Sequence, residues 1–519
     1  MPALICIMDK QANVVSRTKT AVINTISGTG SFLIILLATF VGRKVFTDKL
    51  GAEFLGLNNF FTSVVSMLSL TEMGIGTAML SFLYEPVSLK NNEKIKSLMQ
   101  FYKKIYFFIG MAITMLGVIG TIFIHRFIDS SLAISDIRIY FVFFFLSTSV
   151  TYFWSYKKNL LYADQKSSII SVVRTISKVV IIIIQTVILL ITNNYILYLL
   201  FNIIGNIADN VACSIIADKQ YPYIKNKDII TINEIHRKAL FIKIIPIFIY
   251  NIADYIVTSI PTIFISATSL FTSGLYSNYI LITSTLRAIL GSIFAAFTLS
   301  FGNLAVLEND KKCYEVFKKI DFMAFWIIST CTVIFINLIQ SFIYLWVGSD
   351  FQLSFFNGML IGVNFYCIMM IVPAVSVQNA LGLHHHDQYA NIGYAFITVI
   401  LTTVLGKNFD LSGIIIANII AIVLFPTITK PYVIYKNIFH VSPWSYYINY
   451  LKRFLLVGII LAITFYSNKL IYTDNVIFEF AIRGIVSFSI PTFILLILYA
   501  KTDEFKYYLN LARQHITRR

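Results

Sequence analysis

Charge is scarce in this sequence. Only 13% of its 519 residues are Asp, Glu, Lys or Arg, against about 25% in a soluble globular chain. With 57% hydrophobic residues and a mean hydropathy of +0.77, a soluble enzyme, a disordered chain and an ordinary nucleic-acid-binding protein are excluded. The main solvent of this chain is lipid. Acidic residues are scarcer than basic ones, 25 against 41, leaving a formal charge of +16. Cysteine is scarce too: Cys6, Cys213, Cys313, Cys331 and Cys367 lack ligand spacing, which gives neither a disulfide framework nor a metal site. A secretory leader is not evident, because the run Pro2–Met8 is short and Lys10, Arg17 and Lys19 follow it. Met1–Ile7 fits nothing downstream, so Met8 stands as an alternative start. No segment between spans reads as a soluble domain or a low-complexity run.

What is present is a series of long apolar runs. About 20 mostly apolar residues are needed to cross the hydrocarbon as a helix. Fourteen stretches qualify: 20–41, 54–83, 105–124, 138–156, 168–192, 195–217, 239–265, 270–300, 320–346, 355–380, 389–405, 411–435, 452–471 and 477–500. The polar turn Thr192-Asn193-Asn194 divides the fifth from the sixth. With the N-terminus in the cytoplasm, 29 Lys and Arg fall in cytoplasmic segments, counting Lys430, Lys452 and Arg453 with the 436–453 segment, 7 in outer ones, counting Arg138 and Lys469 at span ends, and 5 deeper inside spans. That asymmetry predicts an N-in/C-in all-α polytopic membrane protein with an even span count.

The sequence also repeats. Asn59-Phe60 matches Asn278-Tyr279, and Ser81-Phe82 matches Ser300-Phe301, both at an offset of 219. Lys103-Lys104-Ile105 matches Lys318-Lys319-Ile320 at 215. An even repeat of six spans predicts two parallel six-helix bundles, a transporter architecture with the substrate between the halves. The expected organisation is a cytoplasmic N-tail (1–19), an N-terminal bundle (20–217), a cytoplasmic linker (218–238), a C-terminal bundle (239–435), two extra helices (436–500) and a basic cytoplasmic tail (501–519).

Two stretches carry a family pattern. One runs Leu50-Gly51-Ala52-Glu53-Phe54-Leu55-Gly56-Leu57-Asn58, Leu70-Thr71-Glu72-Met73-Gly74-Ile75-Gly76, Leu83-Tyr84-Glu85-Pro86 and Phe101-Tyr102-Lys103-Lys104. The other runs Asn251-Ile252-Ala253-Asp254, Gly274-Leu275-Tyr276-Ser277-Asn278-Tyr279 and Ser300-Phe301-Gly302-Asn303-Leu304. With the fourteen spans, these resemble a Wzx-type polysaccharide flippase of the multidrug/oligosaccharidyl-lipid/polysaccharide exporter (MOP) superfamily. Leu383-His384-His385-His386-Asp387 departs from the family pattern. The resemblance implies two six-helix bundles around a cavity, plus two extra helices. It implies movement of undecaprenyl-diphosphate-linked oligosaccharide repeat units to the outer leaflet of a bacterial cytoplasmic membrane, for capsule, O-antigen or exopolysaccharide assembly. Its implied partners are the lipid-linked oligosaccharide, the bilayer, a polysaccharide polymerase and chain-length machinery. No cofactor is implied beyond a coupling Na⁺ or H⁺.

Ionisable residues inside a span are functional candidates by default. The cations are Arg174, Lys178, Lys243, Arg287 and Arg483; the acids are Glu72, Asp209, Asp254 and Glu479. Arg174 and Lys178 lie four apart, so they share a helix face and repel unless an anion neutralises them. A diphosphate suits such a pair, Arg binding it bidentately and Lys as a point charge. The plainer reading pairs them with Asp209. Lys243 lies shallow enough to snorkel. Arg483 and Glu479, four apart, suit each other. Glu72 and Arg287, 215 apart, occupy near-equivalent places in the repeat and suit a cross-cavity ion pair. Asn251 and Asp254, three apart, suit a coupling ion or an ordinary packing contact. The three adjacent histidines cannot all face one ion and read as a short turn. A few tyrosines are expected to line the cavity and stack on sugar rings.

The competing readings are an ion-coupled drug exporter of the same superfamily and a membrane-embedded polysaccharide polymerase. The first favours an acidic cavity. The second needs a large outer loop with catalytic residues, which this sequence lacks.

Overall fold

The computed structural model describes residues 2–68, 70–124, 128, 132–225 and 252–517. Helices account for the regular structure, and no strand occurs among the described residues. The chain separates into two compact units, Met1–Tyr255 and Ile256–Arg519. Their division falls inside a helix, beyond the 218–238 segment expected as the linker.

The first unit contains α1 (Pro2–Leu68), α2 (Leu70–Ser88), α3 (Asn92–Phe123), α4 (Ile134–Ala163), α5 (Ser167–Thr192) and α6 (Tyr195–Gln220). The short apolar helix α7 (Ile252–Thr268) crosses the division. The second unit continues with α8 (Leu270–Leu307), α9 (Asp310–Val347), α10 (Phe355–Met370), α11 (Val372–Leu381), α12 (Gln388–Leu424), α13 (Pro426–Ile434), α14 (Trp444–Lys469), α15 (Val476–Tyr499) and α16 (Asp503–Thr517). Among the described residues, eleven helices are long and apolar enough to cross a membrane. This is a multi-pass all-α membrane protein.

Eleven differs from fourteen because the helix runs on where loops were expected. Residues 42–53 were read as an outer loop, but α1 continues through them with one kink at Gly51 (φ 82°, ψ −176°). Glycine reaches that conformation without a Cβ clash. The expected break near 406–410 is likewise a kink inside α12, at Phe409 and Asp410. There the chain folds so close that a Cβ on Gly413 would lie 2.0 Å from the Leu405 carbonyl oxygen. The expected seventh span, 239–265, lies partly outside the described residues, and its described part is α7. Splitting the two kinked helices and adding α7 recovers the fourteen expected spans.

The polar turn at 192–194 works as read. Asn193 adopts a left-handed conformation that ends α5, and the Asn194 side chain accepts from the amides of Ile196 and Leu197 to cap α6. The same device starts α3 (Asn91), α8 (Ser269), α9 (Asn309) and α15 (Asn475).

Two faces of α5 diverge sharply. Val172, Ile176, Ile183, Val187 and Leu190 are exposed, as a lipid-facing stripe should be. The opposite stripe carries Arg174, Lys178, Ile181, Gln185 and Leu189. Close helix approach builds this side: a Cβ on Gly205 of α6 would sit 2.3 Å from Ile181, so a small residue is needed there. Near the other end of α5, Phe46 and Phe54 of α1 pack edge-on to Tyr195, and Phe46 also meets Tyr198.

The second unit is held by a core around Phe294, Phe325, Phe365 and Tyr366, and by a cluster of Phe317, Tyr435, Phe439 and Tyr446. The basic tail is helical as α16. Phe505 stacks on Trp326, and the Tyr508 hydroxyl donates to the Lys319 carbonyl (3.1 Å).

Candidate functional site

Helices α1, α4, α5 and α6 of the first unit enclose a cleft of about 680 Å³. Its charged walls are Lys158, Arg174, Lys178 and Asp209. A second chamber of about 330 Å³ shares Ile35 and Lys178 with it and adds Arg43. Four cations therefore face one carboxylate.

That carboxylate is already engaged. Lys158 Nζ donates to Asp209 Oδ2 at 2.7 Å, with both side chains 13% exposed. The expected pairing of Asp209 with Arg174 or Lys178 is not what forms. The reason is geometric: Lys158 reaches across from α4, which packs closely on α6. Lys178 instead donates to Asn206 Oδ1 at 3.3 Å. Asn206 is a neutral acceptor, held by the hydrogen bond its Nδ2 donates to the Ser147 carbonyl. Arg174 has no hydrogen bond or ion pair among the described residues, and it is exposed to the cleft. Asp209 Oδ1 and Ser155 Oγ are buried without a hydrogen-bond partner, and both residues line the cleft.

Depth follows from helix rise. Arg174 lies seven residues past Ser167, about 10 Å along α5, and Lys178 about 16 Å. Lys178 is therefore near mid-bilayer if Ser167 marks the membrane surface. Gly28 of α1 lines the lower cleft and Arg43 the upper chamber, fifteen residues or about 22 Å apart. The cations form a ladder along the bundle rather than a cluster at one depth.

The end of this bundle at the α4–α5 turn is tied together by polar contacts. Asp164 pairs with Lys166 at 2.7 Å and accepts from the Tyr221 hydroxyl at 2.5 Å. Burial, then the bond to Asp164, raises the Tyr221 hydroxyl well above the usual tyrosine range, keeping it a donor. Asn24 of α1 joins in, donating to the Gln165 carbonyl and accepting from the Ser168 amide.

The other sequence candidates are dispersed. Glu72 lies in α2, and its side chain is outside the described residues. Lys243 and Asn251 also lie outside them, while Asp254 is exposed on α7. Arg287, in α8 of the second unit, is half-buried and has no ion pair among the described residues. Arg483 pairs with Glu479 at 2.6 Å, as their spacing suggested, and also donates to the Ile471 carbonyl. The histidine run forms one turn of 3₁₀ helix, Leu383–His386. Among the described residues no group of His, Cys, Asp or Glu suits a metal ion.

Sequence reasoning missed several members. Arg43 was assigned to an outer loop, yet it lies on the stripe Ile35, Thr39, Arg43 and Phe46 facing the upper chamber. The near-fourfold spacing of these residues was the available signal. Lys158 was counted as cytoplasmic. Two buried pairs in the second unit were missed as well: Lys430 with Asp387, and Arg453 with Asp321. Arg453 also lies over the Phe325 ring, 4.8 Å from its centre.

The helix order, the paired halves of the sequence and a charged cleft inside one bundle define an all-α polytopic transporter fold of the MOP type. Solved structures agree. The chain is similar to the inward-closed conformation of the lipid II flippase MurJ, at 16% identity, covering 92% of this chain and 99% of that one, with a TM-score of 0.66. It is also similar to an inward-facing multidrug resistance MATE family transporter of the MOP superfamily, at 14% identity, 78% and 98% coverage and a TM-score of 0.61. A MOP superfamily transporter from Pyrococcus furiosus aligns at 13% identity, 79% and 96% coverage and a TM-score of 0.53. No family model and no curated protein matches the sequence. At these identities the likeness is one of fold.

Proposed function

We propose that this protein flips undecaprenyl-diphosphate-linked oligosaccharide repeat units from the cytoplasmic to the outer leaflet of a bacterial cytoplasmic membrane. Alternating access of its two halves would move the headgroup, and the products would serve capsule, O-antigen or exopolysaccharide assembly. A polymerase and chain-length machinery are the expected downstream partners. The observation that carries this reading is the cleft in the first unit, where three cations, Lys158, Arg174 and Lys178, meet one carboxylate already bonded to Lys158. A cationic cleft attracts an anion and repels a cation. Arg174 offers a bidentate fork and Lys178 a point charge, the two modes by which phosphate is held. The fold shared with a lipid II flippase supports a lipid-linked cargo.

A drug exporter of the same superfamily is the second reading, favoured by the MATE likeness and opposed by the sign of the cleft. Na⁺ or H⁺ coupling through Glu72, Asp254 and Asn251, with Asp209 as a gating group, belongs to the proposal. The test is deletion of the gene in its native host. Lipid-linked repeat units should accumulate facing the cytoplasm, measured by their accessibility from each side to impermeant periodate, which cleaves vicinal diols of sugars. Unchanged sidedness would refute the proposal.

A further inference from the structure

Three lysines that the sequence places in three separate segments between spans converge on one pocket of the first unit. The pocket, of about 310 Å³, shares no lining residue with the cleft or with the chamber above it. Lys103 of α3, Lys157 of α4 and Lys225, the last residue of the 3₁₀ turn Pro222–Lys225, form its charged walls together with Asp218 of α6. Met99 and Ile224 add apolar surface. Its volume is at the low end of the roughly 300–1,000 Å³ usual for small-molecule sites, which suits a compact headgroup rather than an extended chain. Lysines that mark the inner face of a membrane protein by their number alone face water and scatter; these three do not scatter.

The pocket has a fixed frame. The Tyr221 hydroxyl donates to Asp164, and the Ile224 amide donates to the Tyr221 carbonyl at 3.1 Å, which holds the turn that carries Lys225. Lys157 and Lys158 are neighbours on α4, about 100° apart around the helix, so Lys158 lines the cleft while Lys157 lines this pocket. Lys157 Nζ donates to Asp218 Oδ1 at 2.7 Å and to Ser214 Oγ at 2.9 Å. The one acid in the wall is thereby neutralised, and one of the three ammonium donors is left over. Lys103 and Lys225 are exposed and have no hydrogen bond or ion pair among the described residues. Three lysines against one aspartate leave two positive charges around one space.

The internal repeat sharpens the contrast. Lys103-Lys104 of α3 corresponds to Lys318-Lys319 of α9. In the second unit Lys318 Nζ lies 5.1 Å from the centre of the Tyr314 ring, and Lys319 Nζ 3.9 Å from that of Tyr507. Aromatic faces hold those cations. Lys103 has no such ring among the described residues and lines the pocket instead. Lysines gathered in this way repel one another unless an anion joins them. Phosphate is the matching anion, since lysine holds it as a point charge, and basic pockets between spans take phospholipid headgroups. We propose that this pocket binds a phosphate group, carried by an anionic lipid or free in solution, with Lys103 and Lys225 on its oxygens and Lys157 contributing its remaining donor. The site is apart from the cleft and does not depend on what the cleft carries.

The test uses the full chain in a maltoside detergent, which brings no phosphate of its own. The probes are inorganic phosphate and dioctanoyl phosphatidylglycerol, each titrated calorimetrically at low ionic strength. Lys103→Gln with Lys225→Gln should weaken the tighter-binding probe about tenfold or more, the effect of losing charge-assisted hydrogen bonds. Lys104→Gln with Lys219→Gln removes the same charge from exposed positions outside the pocket and should leave affinity within about twofold. Thermal unfolding without probe reports that both variants are folded; should the first double variant not fold, Lys103→Gln and Lys225→Gln taken singly carry the same comparison. Phosphatidylglycerol binding at least about tenfold more tightly than phosphate supports the site with a lipid headgroup as its ligand, and phosphate binding as tightly as the lipid supports it with a soluble one. If neither probe binds, if the Lys103 and Lys225 changes leave affinity as it was, or if both double variants weaken binding equally, the pocket is overturned.

Discussion

Replacing Lys178 by Gln should move two properties in opposite directions. Lys178 and Arg174 are one turn apart on the same face of α5, with Cβ atoms about 5–6 Å apart. At an effective dielectric near 20, like charges about 6 Å apart repel by about 3 kcal/mol. Arg174 is exposed in the cleft, so solvent screening reduces this to about 1 kcal/mol. Lys178 gains little locally in return, because its hydrogen-bond partner is the neutral Asn206 at 3.3 Å. Lys178→Gln should therefore stabilise the unliganded protein by about 1 kcal/mol, or about 2–4 °C in a unit of this size. The liganded protein should show the reverse. A lost charge-assisted hydrogen bond costs about 1.5–3 kcal/mol, which weakens undecaprenyl diphosphate binding about 10- to 150-fold. The assay is thermal unfolding in detergent with and without undecaprenyl diphosphate, alongside a direct titration. A purely structural lysine would lower the unliganded melting temperature and leave affinity within about twofold; that result would refute the reasoning.

Other outcomes follow from the same structure. Asp209→Asn strands Lys158 beside two further cations and should cost about 3–5 kcal/mol; thermal unfolding should show much of it restored by adding Lys158→Met. Gly51→Ala forces a Cβ into φ 82° and should cost about 1–3 kcal/mol, read as a lower melting temperature with the helix content unchanged by circular dichroism. Arg287→Ala should impair polysaccharide assembly in a complementation assay more than Arg287→Lys does; full activity in both would remove Arg287 from the site. At α16, burial pushes the Tyr508 hydroxyl up to about 12 from 10, so its contribution is complete below about pH 10 and is lost as pH rises towards 12. Limited proteolysis of the C-terminal helix should accelerate across that window, and Tyr508→Phe should flatten the dependence.

The helical class and the α5–α6 turn were legible because hydropathy, length and capping asparagines are local properties. Kinks were not. Gly51 and Asp410 read as loop residues in a sequence, and only the continuation of the helix on both sides distinguishes a kink from a turn. The deep pair Arg174 and Lys178 was legible from spacing on one helix face. Their surroundings depend on which helix packs beside them, so Lys158 on α4 took the acid assigned to α5. Arg43 was hidden because charge density places a span's end, and an arginine facing a chamber ends the apolar run just as a loop arginine does.

The distribution of partners separates structural charge from functional charge. Three cations of the second unit each have a dedicated carboxylate: Lys430 with Asp387, Arg453 with Asp321 and Arg483 with Glu479. Removing one member of such a buried pair strands the other, so these residues answer to stability. Two of those cations, Lys430 and Arg453, had been counted as markers of the cytoplasmic face, and their burial removes them from the topological signal without reversing it. The first unit breaks the one-to-one rule. Around its cleft Lys158 has Asp209, while Arg174 and Lys178 line the same cavity with no carboxylate of their own. Uncompensated cations inside a span are costly, and a chain that gives Lys430, Arg453 and Arg483 each an acid has the means to neutralise them. On the proposed reading, leaving this stretch unmatched keeps it ready for an anion that comes and goes, which is what a carrier of a diphosphate headgroup needs and what a carrier of cations would avoid.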